Sequence, residues 1–143
     1  MYVEVKRADQ WQHQPCQCAC LASCTERPNN FADPAPDECG MRGRDYALFD
    51  RLVGRINGVE IAKLGCRGFP LDASRSVAAA YEPWSVWETY PSWLTLNDIT
   101  NRDWRRQNGE HNQEWLALIA RLERYAGLFG GSDNVRLVYW FET

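Results

Sequence analysis

Thiols and imidazoles offer the first chemistry in this chain. Cys16, Cys18, Cys20 and Cys24 fall within nine positions, with His13 just before them and Cys39 further on. Thiolates and neutral imidazole are the ligands zinc prefers, and four of them close a tetrahedral site. The spacing departs from the usual zinc pattern, which places two residues between paired cysteines so that one turn grips the metal. Two other readings stay open. The cysteines can pair as disulfides in an oxidising compartment, or remain reduced as small apolar fillers. The cofactor expectation is therefore none, or zinc held by Cys16, Cys18, Cys20, Cys24, Cys39 and His13.

Other reactive types stand alone. Cys66 lies beside Arg67, which can lower a thiol pKa, but a catalytic cysteine needs a base, and the chain has only His13 and His111. His111 follows Gly109-Glu110 with no placed partner. No phosphate loop, dinucleotide fingerprint, serine-hydrolase elbow or zincin helix occurs. The balance leans away from an enzyme.

Binding chemistry is better represented. Tyr81, Trp84, Trp87, Tyr90 and Trp93 fall in one stretch punctuated by Pro83 and Pro91. Aromatics at this density make a stacking platform or a protein-binding hot spot, or they fill a core. Glu82 and Glu88 would repel phosphates, which favours a protein or small-ligand partner over nucleic acid. Arg102, Arg105 and Arg106 can grip an acidic partner or merely complement a helix C-terminus. The candidate binding residues are thus Trp84, Trp87, Tyr90, Arg102, Arg105 and Arg106.

The elements that must position these residues follow from patterning. Tyr2–Lys6 alternates with β-branched valines and reads as a strand, turning near Ala8–Gln10 into a second around Trp11. Residues 15–43 are an irregular loop rich in Cys and Pro. Helices are expected over 45–57, 74–82, 96–106 and 112–126, the third opened by a Thr95-x-x-Asp98 capping box and the fourth by Asn112. Asn134–Glu142 reads as a strand apolar on both faces, hence central in its sheet. The fold class is a single α+β domain over 1–143, with a small antiparallel sheet from both chain ends packed against about four helices. Leu48, Phe49, Leu52, Trp93, Trp115, Leu118, Ile119, Leu122, Val138 and Trp140 are its expected core.

Bulk properties restrict the partners. The 143 residues carry a net charge of −3, so no global positive field gathers nucleic acid. No apolar run approaches the ~20 residues that span a bilayer, so no membrane partner is expected. Residues 1–15 lack an apolar signal core, so export by that route is not expected. Fourteen of the sixteen basic residues are Arg, but they are scattered, as codon bias alone would leave them.

Several segments in order carry a family resemblance: Gly43-Arg44-Asp45-Tyr46-Ala47-Leu48-Phe49, Leu52-Val53-x-Arg55, Arg67 through Ser74, Ser92-Trp93-Leu94-Thr95-Leu96, and Val135 through Phe141. The chain resembles a family of short bacteriophage and prophage proteins that often open Met-Gly-Cys-Asp-Ile-His. The likeness covers residues 1–6 and 43–143. It implies a phage origin, a shared α+β fold and residence in the host cytoplasm; no activity is established for the family. Two departures matter. The Gly-Cys-Asp-Ile-His opening is missing, and where members tend to carry His before Ser92 this chain has Thr89, Tyr90 and Pro91. Either translation starts further upstream, or this member keeps the fold without that site.

The leading functional expectation is a phage accessory protein that binds a host protein or defence complex, inhibiting an anti-phage system such as CRISPR–Cas or nucleotide signalling; a small nucleotide is a further candidate ligand. The alternative is a metal-assisted hydrolase acting on a nucleotide or phosphoester. If the cysteine loop holds zinc, elemental analysis of purified protein will find near-stoichiometric metal, lost in a Cys18→Ser, Cys20→Ser double variant. Sub-stoichiometric metal in both samples would remove the metal reading.

Overall fold

A computed structural model describes residues 1–14, 46–52, 55–56, 59–60, 67–87, 89–102 and 112–141. The expected loop over 15–43, the cap at Asp45, and Cys66, Arg105, Arg106 and His111 lie outside the described residues.

The chain is a small α+β domain built on a four-stranded antiparallel sheet. Strand β1 (Tyr2–Arg7) turns through Ala8 and Asp9 into β2 (Gln10–His13). Both turn residues take positive φ, 45° and 61°, as a two-residue hairpin requires to match the twist of its strands. Asp tolerates this conformation; Ala, with its Cβ, does so at a cost. On its other side β1 pairs with β6 (Val135–Tyr139), Glu4 opposite Arg136 and Tyr2 opposite Val138. Strand β5 (Ser92–Thr95) closes the order β2-β1-β6-β5. The last strand is thus central, as its two-sided apolar pattern requires. No element is expected from sequence at Ser92–Thr95, where four residues run straight into a helix cap.

The helices are shorter than expected, except the last. Helix α1 (Tyr46–Leu52) stops well before 57, and Arg55–Ile56 (β3) pairs instead with Val59–Glu60 (β4). Tyr139 Oη donates to the Leu52 carbonyl at 2.7 Å, satisfying one of the acceptors a helix end leaves open. Helix α2 spans Arg75–Tyr81 and passes into a 3-10 turn over Glu82–Trp84. Helix α3 (Leu96–Thr100) begins at the expected capping box, with Thr95 Oγ1 accepting from Asp98 N and the Asp98 carboxylate from Thr95 N, but ends by Asn101. Helix α4 (Gln113–Phe129) begins at Asn112, whose side chain accepts from the amides of Glu114 and Trp115. It runs past Gly127 because the left-handed cap is Gly130, at φ 84°.

Alternation along the strands builds two apolar layers. Val3, Val5, Leu94, Val135, Leu137 and Tyr139 pack with Trp115, Leu118 and Leu122 of α4. Tyr2 and Val138 face the other way, against Val77 of α2, with Phe69, Trp93 and Trp140 around them. Of the expected core, Leu48, Leu52, Trp115, Leu118, Leu122 and Val138 are buried, whereas Phe49, Trp93, Ile119 and Trp140 are only partly so. These last four sit at the margins of the layers, where a large ring covers apolar neighbours on one side and meets solvent on the other.

Replacing Ala8 with Gly should raise stability by about 0.5–1 kcal/mol, since glycine adopts positive φ without the Cβ clash and loses only part of that gain to unfolded-chain entropy. Urea denaturation with an unchanged m value checks this; a lower midpoint would show that the turn is not strained.

Candidate functional site

The sheet face that carries Tyr2 and Val138 also carries charge. Glu4 and Arg136 stand opposite each other in β1 and β6, with side chains 0% and 1% exposed. Arg136 Nε donates to Glu4 Oε2 at 2.8 Å, and Nη2 lies 2.7 Å from the same oxygen. The other Glu4 oxygen accepts from the Ser74 amide at 2.6 Å. Arg136 Nη1 reaches out to Asp72 Oδ1 at 2.8 Å, and Asp72 Oδ2 accepts from the Trp11 indole at 2.9 Å. The guanidinium lies 3.9 Å from the Trp11 ring centre and 5.6 Å from that of Trp93. Beyond Trp93, 4.7 Å from its centre, is Arg67, which forks onto Asp98 at 2.8 and 2.9 Å. Rings and cations therefore alternate across the sheet, from Trp11 through Arg136 and Trp93 to Arg67.

Burial raises the Asp72 pKa, but the hydrogen bond and charge of Arg136 and the Trp11 indole outweigh it, and the net shift is downward. At Asp98 burial is likewise outweighed, by the Arg67 fork and by Thr95. Burial lowers the pKa of Arg102, at the end of α3, with Asp98 opposing and Arg67 reinforcing the shift.

Chemically, this cluster clamps. Both oxygens of Glu4 and both of Asp72 accept hydrogen bonds, so both carboxylates are committed to holding strand and loop together. The contacts at Ser74 and Asp72 fasten the segment before α2 onto the sheet. Sequence reasoning names none of Glu4, Trp11, Arg67, Asp72, Asp98 and Arg136 as a site residue, although it uses Asp98 as a helix cap, Arg67 as a neighbour of Cys66 and Trp11 as part of a strand. The available signal was one charge in the middle of each apolar terminal strand.

The segment expected to bind lies next along the chain. Phe69 stacks on Tyr81 at 4.3 Å, and Tyr81 meets Trp140 edge-on at 5.2 Å, which roots the start of the segment in the second apolar layer. Its end is tied by the Tyr90 amide donating to the Phe141 carbonyl at 3.0 Å. Between these anchors the Trp87 amide closes a turn on the Trp84 carbonyl at 3.1 Å. Trp84 and Tyr90 are half-buried, whereas Val86 and Trp87 are 80% and 66% exposed. The stretch thus divides between the two roles open to it: Tyr81 and Trp93 pack, and Trp87 projects. Arg102 belongs with Asp98 and Arg67.

His13 ends β2, its ring edge-on to Tyr2 at 5.6 Å. Its Nε2 is buried and, among the described residues, has no hydrogen-bond partner. The cysteines expected to join it lie outside the described residues, among which no three potential ligands gather. His13, Trp11, Ser74, Arg75 and Ser76 line an open groove between β2 and the start of α2. Among the described residues, no helix is long and apolar enough to cross a membrane.

No family model, curated protein or solved structure matches the chain.

Breaking the buried pair from one side should be costly. Glu4→Gln or Arg136→Met alone should destabilise by about 3–5 kcal/mol, because each leaves its partner buried and uncompensated. The double variant should lose less than the sum of the two in urea denaturation; strict additivity would show that the groups do not interact. Asp72 and Asp98, with lowered folded-state pKa values, contribute stability that is present above about pH 4 and lost as pH falls through those values. Asp72→Asn should therefore flatten the acid limb of a stability–pH curve, and an unchanged limb would contradict this.

Proposed function

We propose that this chain is a phage accessory protein that acts by binding a host protein, and that its target is an anti-phage defence complex in the host cytoplasm. The observation that carries the binding reading is the exposed Val86–Trp87 pair, held on a turn whose two ends are anchored. Trp is the residue type most often found to dominate protein interfaces, because a rigid ring covers much area for little lost side-chain entropy. A presented Trp on a fixed turn has already met part of the ordering cost of association. The hydrogen-bonded carboxylates of the clamp serve as fasteners between strand and loop, which supports a scaffold role for them. The phage assignment rests on the order of motifs from Gly43 to Phe141, and the defence target on the role of small phage proteins outside the virion.

The test is to express the chain in bacteria carrying defined defence systems and challenge them with phage. Plating should rise on at least one such host. Trp87→Ala should reduce that rescue tenfold or more while leaving the circular dichroism spectrum unchanged. Equal plating on every host, with and without the chain, would end the defence reading; rescue indifferent to Trp87→Ala would end the assignment of the surface.

A further inference from the structure

The hairpin geometry determines which way each backbone group of β2 faces. Arg7 and Gln10 flank a two-residue turn and so exchange hydrogen bonds, after which bonded and non-bonded pairs alternate. Val5 with Gln12 is bonded, and so is Val3 with Gln14, whose amide donates to the Val3 carbonyl at 2.8 Å. Trp11 and His13 stand at the non-bonded positions opposite Lys6 and Glu4. Their amides and carbonyls therefore point away from β1, along the outer edge of the sheet. Among the described residues, no hydrogen bond meets three of these four groups; the His13 carbonyl accepts a long one, 3.3 Å, from the Gln14 side-chain amide.

Sheets ordinarily guard such an edge with lysine, proline, a bulge or a covering element. Gln10-Trp11-Gln12-His13 contains no Lys, Arg, Asp or Glu and no proline. The opposite edge, β5, is treated differently: the Arg67 amide donates to Ser92 Oγ at 3.1 Å, and the Arg67 guanidinium lies over Trp93.

We propose that β2 pairs antiparallel with β2 of a second copy of this chain, about a two-fold axis through Gln12. The proposal goes beyond the Trp87 surface and does not use it. Self-pairing follows from the spacing. The two open positions lie symmetrically about Gln12, so the rotation sets Trp11 against His13 of the partner subunit, and His13 against the partner subunit's Trp11. Each of these is a hydrogen-bonded pair; together they satisfy the three unmet outward groups of each copy and give the His13 carbonyl a backbone donor in place of the Gln14 side chain. The charge pattern points to the same occupant. A strand bearing lysine or glutamate would set a charge against an edge that offers no Lys, Arg, Asp or Glu to pair with it, whereas a second copy brings none of these. Trp11 and His13 share a sheet face, so their rings fall side by side across the new pairing, next to the groove at Ser74 and Arg75. Gln12 meets its own copy at a non-bonded position on the opposite face. Because the two-fold pairing uses the same edge of both copies, it closes at two rather than growing into a fibre.

Sedimentation equilibrium of the full chain under reducing conditions, across a range from micromolar to high-micromolar concentration, tests this. Apparent mass should rise from 16.5 kDa toward twice that value. His13→Pro removes only an outward amide that β1 does not use, and should leave a monomer. Because proline can also disturb the hairpin, charge pairing provides an independent check. Gln12→Lys alone and Gln12→Glu alone should each weaken self-association tenfold or more, and mixing the two variants should restore it. A wild-type chain that stays monomeric throughout, as it would if another segment or a different protein covers this edge, would overturn the proposal. So would a dimer indifferent to charge at Gln12.

Discussion

A guanidinium removed from water needs its charge met on every side, and Arg136 imposes that demand on the whole sheet face. Glu4 meets it from the neighbouring strand, Asp72 from the loop before α2, and the rings of Trp11 and Trp93 from two further strands. A slip of β1 against β6 by one residue would send Glu4 to the opposite face and leave the cation alone. The pair thus discriminates between registers more than it adds net stability, since burying two charges costs much of what their attraction returns.

Two apolar layers grow outward from that constraint. On the α4 side the buried surface of the sheet is aliphatic and aromatic apart from Ser92, and at its margin Arg7 lies over Phe129 of the long helix. On the other side the charged cluster occupies one region and the rings of Tyr2, Phe69, Tyr81 and Trp140 another. The segment presenting Trp87 starts from those rings and returns to the sheet beside Phe141. Clamp and turn are therefore mechanically continuous: the clamp holds Ser74 at the entrance of α2, and α2 delivers the chain to the Trp84–Trp87 turn.

Sequence pattern revealed the elements whose periodicity is strong over several turns or several alternations. Helix α4 announces itself through Trp115, Leu118, Ile119 and Leu122 with Asn112 ahead of them, and the terminal strands through their branched residues. The stop of α4 was misplaced because Gly127 and Gly130 both qualify as end signals, and only left-handed φ at the second decides between them. Strand β5 left no pattern of its own; four residues become a strand because β6 offers a free side. The clamp was hidden for a related reason. Glu4 and Arg136 each look like a lone charge in an apolar run, and Asp72 like a polar loop residue, until pairing register brings them to one point. The aromatic stretch was legible as composition, but its division into packed and projecting rings depends on which of them reach Trp140 and the sheet.

Glu4 and Arg136 are 132 positions apart, and β6 lies between β1 and β5. During synthesis the first hairpin leaves the ribosome long before the strand that should cover it exists. Until Val135–Tyr139 emerges, one side of β1 and one side of β5 remain open, and Glu4 has no cation to meet. The sheet therefore closes from its centre and last, so a nascent chain passes most of its elongation with open strand edges that chaperones or neighbouring nascent chains can reach.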